Sequence, residues 1–249
     1  MTTEPLFLGD LDSPAVGDEV TLTGDEGRHA ADVRRIKPGE SVLISDGAGT
    51  AVRGPVTVAG KGSITVSVEE VLHSPEPELR YLAVQALPKG DRAEQAVEIM
   101  TEVGIDQIIP WQAERSVVRW SPDRVERGLA RWRAAAREAA KQCRRFRVPV
   151  VTAPLTTAEL ALHIPQAALV LVLHESATTP LASVELPAKG DIVFIVGPEG
   201  GLTDAEVDAF VAAGAHAVLI NDAVLRTSTA GVVALAQLQA LGLARGCVG

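Results

Sequence analysis

Residues 191–240 read DIVFIVGPEGGLTDAEVDAFVAAGAHAVLINDAVLRTSTAGVVALAQLQA and hold two strand–loop–helix units in succession. Residues 192–196 are a continuous apolar run rich in β-branched side chains, which predicts a strand buried on both faces of a parallel sheet. The glycine loop at 197–201 cannot continue it. Thr203 and Glu206 have the spacing of a capping box, Val207, Phe210 and Val211 then share one helical face, and Gly214 supplies the stop. Residues 217–220 predict a second strand. From Ala230 onward the chain is long and apolar enough for a mostly buried helix, with Thr227, Ser228 and Thr229 as candidate N-caps. Neighbouring strand ends that open into glycine- or hydroxyl-bearing loops before helices are where α/β proteins seat small molecules, because backbone N–H groups converge there. A cofactor site is therefore expected at these two loops.

The loops match none of the common phosphate cradles. No GxxxxGK[ST] occurs, and no GxGxxG follows a strand, so nucleotide hydrolysis and dinucleotide redox chemistry lose their support. GPEGG alone reads equally well as a tight turn. Its pairing with LRTST, one helix and one strand later, is what favours a ligand site.

Outward from this stretch, the segment HSPEPE at 73–78 forms a seam between two textures. Before it, SVLISDG, AVRGPVTVAG and SITVSVEEV are short β-branched runs punctuated by Gly and Pro, as in a small β-barrel. After it, RYLAVQAL, a helix from about Asp91 to Val103 with Asp91 as N-cap, IDQIIPW, a long Arg-rich helix, ALVLVLHE, DIVFIV and AVLI alternate. That order predicts an α/β domain with a mostly parallel sheet at 79–249, preceded by a barrel domain at 1–73.

The chain has 249 residues, 47% of them apolar, enough to fill the cores of two domains. Cys143 and Cys247 are too few and too far apart for a disulfide framework or a zinc site, so no metal and a reducing cytoplasm are expected. The N-terminus lacks an apolar leader, and Gln237 and Gln239 interrupt the longest apolar helix; no membrane span is expected. The formal charge is −9. Yet Arg115, Arg119, Arg124, Arg127, Arg131, Arg133, Arg137, Lys141, Arg144, Arg145 and Arg147 face only Asp123, Glu126 and Glu138 in their stretch. A basic stripe on an acidic body is the electrostatic footprint of a polyanion partner; the alternative is a solvated helix using Arg for its helix propensity. A second basic cluster comprises Arg28, His29, Arg34, Arg35 and Lys37. Aromatic residues are 3% of the chain and Trp111, Trp120 and Trp132 are scattered, which argues against an aromatic RNA platform.

IVGPEGGLTDAEV followed by AVLRTSTAG resembles the C-terminal signature of the RsmE family of 16S ribosomal RNA uridine methyltransferases, in the SPOUT superfamily. RHAADVRRIKPGE, LPKGDRAEQAVEIMTEVGID, ERSVVRW and AAREAAKQCRRFRVPVV are similar to further family blocks, in order along nearly the whole chain. Two departures stand out: Asn221-Asp222 replaces a common Gly-Pro pair, and Ser228 replaces the Glu of RTET. The resemblance implies a PUA-like RNA-binding barrel followed by a SPOUT domain with a deep trefoil knot. It also implies a homodimer, S-adenosylmethionine as cofactor, and methylation of a uridine N3 in 16S rRNA of the small ribosomal subunit.

Methylation at pyrimidine C5 usually requires a Cys nucleophile, and neither Cys143 nor Cys247 sits on a promising loop, so transfer to nitrogen or oxygen is preferred. A uridine N3 carries a proton that must leave, so the site needs a base or a cation that stabilises the deprotonated ring. Arg226 is the first candidate for the cation, its alternative being a structural tie to a carboxylate; Glu199 and Glu175 are weaker candidates for the base. The cofactor pocket is expected from Leu173 and His174, from Gly197, Pro198, Gly200 and Gly201, and from Leu219, Ile220, Asn221, Leu225 and Thr227. His174 reads equally as a surface residue at a strand end. RNA contacts are expected from Arg28, His29, Arg34, Arg35, Arg144 and Arg145, and by resemblance from Lys89 and Arg92, with His29 alternatively packed in the barrel. Two other functions share this scaffold: a non-catalytic RNA-binding assembly factor, and a ribose 2′-O-methyltransferase.

Overall fold

The computed structural model describes residues 4–90 and 92–244. The chain divides into two compact units: the segment up to Glu76 with Ala140–Val148, and Pro77–Ala139 with the segment from Pro149 onward.

In the first unit, β1 (Leu6–Leu8), β2 (Glu19–Leu22), β3 (Ser41–Ser45), β4 (Thr50–Gly60), β5 (Ser63–Ser67) and β6 (Glu70–His73) form one sheet. Its order is β1-β3-β4-β5-β2, with β6 also paired to β4; β1 runs parallel to β3 and the other pairings are antiparallel. Val42, Ile44, Val52, Val56, Ile64 and Val66 are buried together in its core, with alternation clear in β5 and continuous burial along β3. Helix α1 (Gly24–Arg28) runs into a π turn at His29–Val33, whose Ala30 seals this core. Backbones approach so closely at Gly54 that a Cβ there would lie 1.8 Å from the Ser67 carbonyl oxygen. The late segment 140–148 joins this unit through specific bonds, which no linear seam could reveal. The Ser45 hydroxyl and Gly49 N–H both donate to the Phe146 carbonyl, each at 3.0 Å. The Arg147 guanidinium donates to the Ser74 carbonyl, and a buried ion pair joins Lys141 to Glu26 at 2.8 Å.

The second unit contains β7 (Leu79–Ala86), α2 (Arg92–Val103), β8 (Gln107–Trp111), α3 (Pro122–Cys143, its last turn from Ala140 in the first unit), β9 (Val150–Val151), α4 (Thr157–His163), β10 (Leu169–Leu173), β11 (Gly190–Val196), α5 (Asp204–Ala212), β12 (His216–Val218) and α6 (Thr227–Ala244). The sheet order is β12-β10-β11-β7-β8-β9 and every pairing is parallel. All carboxyl ends therefore open on one edge. Because β7 connects to β8 on one side while β11 connects to β12 on the other, the strand order reverses between β7 and β11, the usual place for a ligand crevice in open α/β sheets. By length and hydropathy α6 is apolar enough to cross a bilayer; it packs against α2, β7 and β11 with 44% of it buried, less than the mostly buried helix expected.

Several local expectations change. The second strand is shorter than 217–220, ending at Val218, with Leu219 continuing only as an isolated bridge to Pro180. Helix α6 starts at Thr227, and the Arg226 carbonyl accepts from the N–H groups of Thr229 and Ala230, so Arg226 occupies the cap and the three hydroxyl residues lie inside the first turn. Val211 is 47% exposed whereas Phe210 is fully buried, because α5 turns its inner face through Glu206 and Phe210. Trp120 and Trp132, distant in sequence, meet edge to face at 5.5 Å. Strand β9 and helix α4 were not expected, although Thr156 and Glu159 form a complete capping box at the start of α4. The proposed cap Asp91 lies outside the described residues.

Candidate active site

The carboxyl edge of the parallel sheet collects the loops singled out in the sequence. Strand β11 ends in Gly197–Gly201, where Gly201 N–H donates to the Pro198 carbonyl at 3.0 Å and Gly201 adopts φ +72°. Only glycine takes that conformation without strain. A Cβ on Gly201 would lie 3.9 Å from Glu175 Oε1, so the loop after β11 runs close to the loop after β10. Glu199 Oε1 accepts from the Lys89 N–H at 3.1 Å, fastening the glycine loop to the chain leaving β7.

The loops after β10 and β12 enclose one hollow. Leu173, His174, Glu175, Leu219, Ile220, Asn221 and Leu225 line it, together with Ala223, Val224 and Ala230. His174 N–H donates to the Val218 carbonyl at 3.0 Å, and its Nδ1 accepts from the Ser176 N–H at 3.2 Å. Gln237, from within α6, donates to the Ile220 carbonyl at 2.9 Å and so anchors the LRTST side. Asn221 donates to the Ala223 carbonyl at 3.3 Å, a local turn at the first departure from the family pattern.

The predicted cofactor residues thus fall into three groups. Leu173, His174, Leu219, Ile220, Asn221 and Leu225 share the hollow. Gly197, Pro198, Gly200 and Gly201 border it through the Gly201–Glu175 approach without lining it. Thr227 is buried in the first turn of α6, where its carbonyl accepts from Gln85 Nε2 at 3.4 Å. Arg226 is exposed at the mouth of that helix. Lys89 and Arg92 are exposed at the end of β7 and the start of α2.

Two residues that frame the site were not expected in it, Arg115 being read only as part of the basic stripe and Glu206 only as part of a capping box. Arg115 packs its backbone carbonyl 3.0 Å from where a Gly200 Cβ would stand and donates from its side chain to the Leu202 carbonyl at 3.2 Å. Glu206, 4% exposed, closes the capping box with Thr203 and also accepts from the Glu114 N–H at 2.8 Å and the Thr157 hydroxyl at 3.3 Å. ERSVVRW was visible as a motif, but a backbone contact to a glycine loop leaves no mark in residue type.

In the first unit, His29, Arg34, Lys141 and Arg144 ring a small polar hollow beside Pro5, Leu6 and Phe7. His29 also packs edge to face on Phe7 at 6.0 Å, so packing and an accessible imidazole coexist. Arg34, Arg35 and Arg144 are exposed, Arg145 is half-buried, and Arg28 pairs with Asp25. Arg35 and Arg144 both hold left-handed backbone, φ +56° and +58°.

Comparison with known proteins identifies relatives of the whole chain. An RNA methyltransferase domain model matches residues 75–239, and an RNA methyltransferase PUA domain model matches residues 22–69. The ribosomal RNA small subunit methyltransferase E of Mycobacterium bovis is 44% identical, over 89% of this chain and 86% of the relative. A crystal structure of a ribosomal RNA small subunit methyltransferase E from Neisseria gonorrhoeae bound to S-adenosyl methionine superposes with a TM-score of 0.85 at 29% identity, covering 96% of this chain and 98% of the other. A putative methyltransferase from Legionella pneumophila, in complex with the bound cofactor SAM, gives 0.85 at 25% identity over 96% and 98%. With matches that span both units and nearly the full length, the chain belongs to the ribosomal RNA small subunit methyltransferase E family.

Proposed function

We propose that the protein transfers the methyl group of S-adenosylmethionine to N3 of one uridine in 16S rRNA of the small ribosomal subunit. The observation that carries this reading is the meeting of the loops after β10, β11 and β12 at one sheet edge, with Glu175 against Gly201 and Arg226 at the adjoining helix mouth. The residues suit the cofactor: Leu173, Leu219 and Leu225 offer apolar walls to an adenine ring, while His174, Glu175 and Asn221 offer polar atoms to its sugar and amino acid ends. When bound, the cofactor supplies an electrophilic methyl group on a sulfonium.

The chain's own groups do the rest. Arg226 presents a cationic guanidinium fork that can hold a uracil carbonyl, favouring the ring that has lost its N3 proton. Glu199 is engaged with the Lys89 N–H and serves best as a loop tie, which leaves Glu175 as the nearer carboxylate for a proton or a ribose hydroxyl. The first unit, read as a PUA-like barrel, holds RNA phosphates through Arg34, Arg35, Arg144 and Arg145, with His29 and Arg28 beside them. Lys89 and Arg92 do the same in the second unit. The finer picture also includes a deep trefoil knot, a homodimer and a cytoplasmic location.

Titration calorimetry with S-adenosylmethionine, followed by mass spectrometry of rRNA from cells lacking the protein, tests this reading. A bound cofactor and a missing base methyl group are expected. RNA binding without cofactor binding would make it an assembly factor instead, and a missing ribose methyl would make it a 2′-O-methyltransferase.

A further inference from the structure

A second hollow opens on the same sheet edge, one strand away from the cofactor loops, within the parallel-sheet unit. Leu87 and Pro88 follow β7, Ala93 lies on α2, Val118 and Trp120 come from the loop after β8, and Trp132 stands on α3. The space measures about 140 Å³, enough for one six-membered ring and little more. We infer that this hollow is the seat of the target pyrimidine, extruded from the RNA and held beside the methyl donor. The inference rests on the methyltransferase function proposed above and adds the place where the base sits.

Three observations support it. Position comes first: Leu87 N–H donates to the Trp111 carbonyl at 3.2 Å, and the next residue but one, Lys89, is bonded to Glu199 of the glycine loop. The wall of the hollow and the cofactor loop are thus parts of one hydrogen-bonded edge. Shape comes second. Trp120 presses on α3 at Gly128, where a Cβ would stand 2.5 Å from the indole, and it meets the buried Trp132 edge to face. Its backbone N–H is held by Gln112 Oε1 at 2.8 Å, so the ring is fixed before any ligand arrives. A flat, preset aromatic wall is what a single unstacked base needs. Chemistry comes third. Arg131 and Glu94 form a 2.6 Å ion pair that lines the hollow, with the Glu94 side chain 21% exposed. The Arg131 guanidinium, held by Glu94, offers N–H donors to a uracil carbonyl and leaves N3 free to face the methyl donor.

The test compares the full-length protein with Val118→Trp, which fills the hollow from a residue that does not line the cofactor hollow, and with Glu94→Gln. Cofactor affinity, melting temperature and methyl transfer to small-subunit RNA are measured for each. Val118→Trp is expected to keep cofactor affinity within about twofold and to lose about 100-fold in methyl transfer, the scale on which misplacing a reacting group costs rate. Glu94→Gln is expected to raise KM for RNA more than it lowers kcat. Should Val118→Trp fold poorly, wild-type tryptophan fluorescence decides: an RNA with the target base should quench it more than the same RNA abasic at that position. Unchanged transfer by a folded Val118→Trp, or equal quenching by the two RNAs, overturns the pyrimidine seat alone. A wild-type protein that binds S-adenosylmethionine but methylates no RNA overturns the wider function and the seat with it.

Discussion

Glu206 Oε1 lies 2.8 Å from the backbone nitrogen of Glu114, and through that bond one buried carboxylate holds both the start of α5 and the segment that backs the glycine loop. Its other oxygen accepts from the Thr203 N–H at 3.0 Å and the Thr203 hydroxyl at 3.1 Å. Removing it leaves two backbone N–H groups short of partners. Glu206→Ala is therefore expected to cost ~2–4 kcal/mol in chemical denaturation, the sum of a lost cap and an unsatisfied buried donor. Glu206→Gln keeps one acceptor oxygen and should lose about half as much. Equal stability of Glu206→Ala and wild type would show that the loop holds itself.

Arg226 is exposed and its backbone, not its side chain, caps α6. Substitution should leave the fold intact. Arg226→Ala is expected to lower kcat for RNA methylation by about 10²–10³, the usual loss on removing one group that stabilises developing charge, with cofactor affinity unchanged by calorimetry. Arg226→Lys should recover only part, because a point charge cannot replace a planar fork. A fall in melting temperature instead of in rate would assign Arg226 to structure.

Much of this was legible because the informative signals are local. The apolar run 192–196, the Thr203–Glu206 box and the glycine loop each dictate structure within a few residues, and their order implies a parallel sheet. The parts that were not legible depend on distant partners. Segment 140–148 looks like the end of a basic helix, yet Ser45, Gly47 and Gly49 claim its carbonyl and N–H groups. The contact of Arg115 with Gly200 and the bond from the Glu114 N–H to Glu206 carry no sequence mark, since what matters is which backbone atoms meet. Trp120 and Trp132 are twelve positions apart and come together only because Gly128 lets the indole lie on α3.

Gly54 illustrates a backbone contact that tolerates no side chain. With the Ser67 oxygen 1.8 Å from the place of a Cβ, Gly54→Ala must push β4 away from the end of β5. A loss of at least ~3 kcal/mol is expected, at the upper end for single substitutions. Hydrogen exchange should show β4 and β5 amides losing protection, and filter binding should show RNA affinity falling. Protection equal to wild type would mean that the strands slide to accommodate the methyl group.

Stability should also respond to acid through the cap of α4. The Thr156 N–H and hydroxyl both bond the Glu159 carboxylate, at 2.8 Å each, and hold its pKa below the ordinary value of 4.5. A carboxyl whose folded pKa is depressed adds stability that is complete above its unfolded pKa and disappears as pH falls through the folded one. Glu159→Gln should flatten the melting curve's dependence on pH below about 4.5 and leave the plateau between pH 6 and 8 level. A slope at low pH that is identical in both proteins would place the acid sensitivity elsewhere.

The basic hollow of the first unit makes a quantitative claim about salt. Arg34 and Arg144 line it and are exposed, whereas Arg28 is already paired with Asp25. Each phosphate contact releases counterions, so losing one lowers the slope of log affinity against log salt by about 0.7–0.9. Arg34→Ala and Arg144→Ala should each reduce the slope by that amount and weaken binding to all RNA sequences alike. Arg28→Ala should change it by less, because Asp25 competes with phosphate for the same guanidinium. If the slopes of Arg34→Ala and Arg144→Ala match the wild type across 50–200 mM salt, the hollow does not meet the RNA backbone.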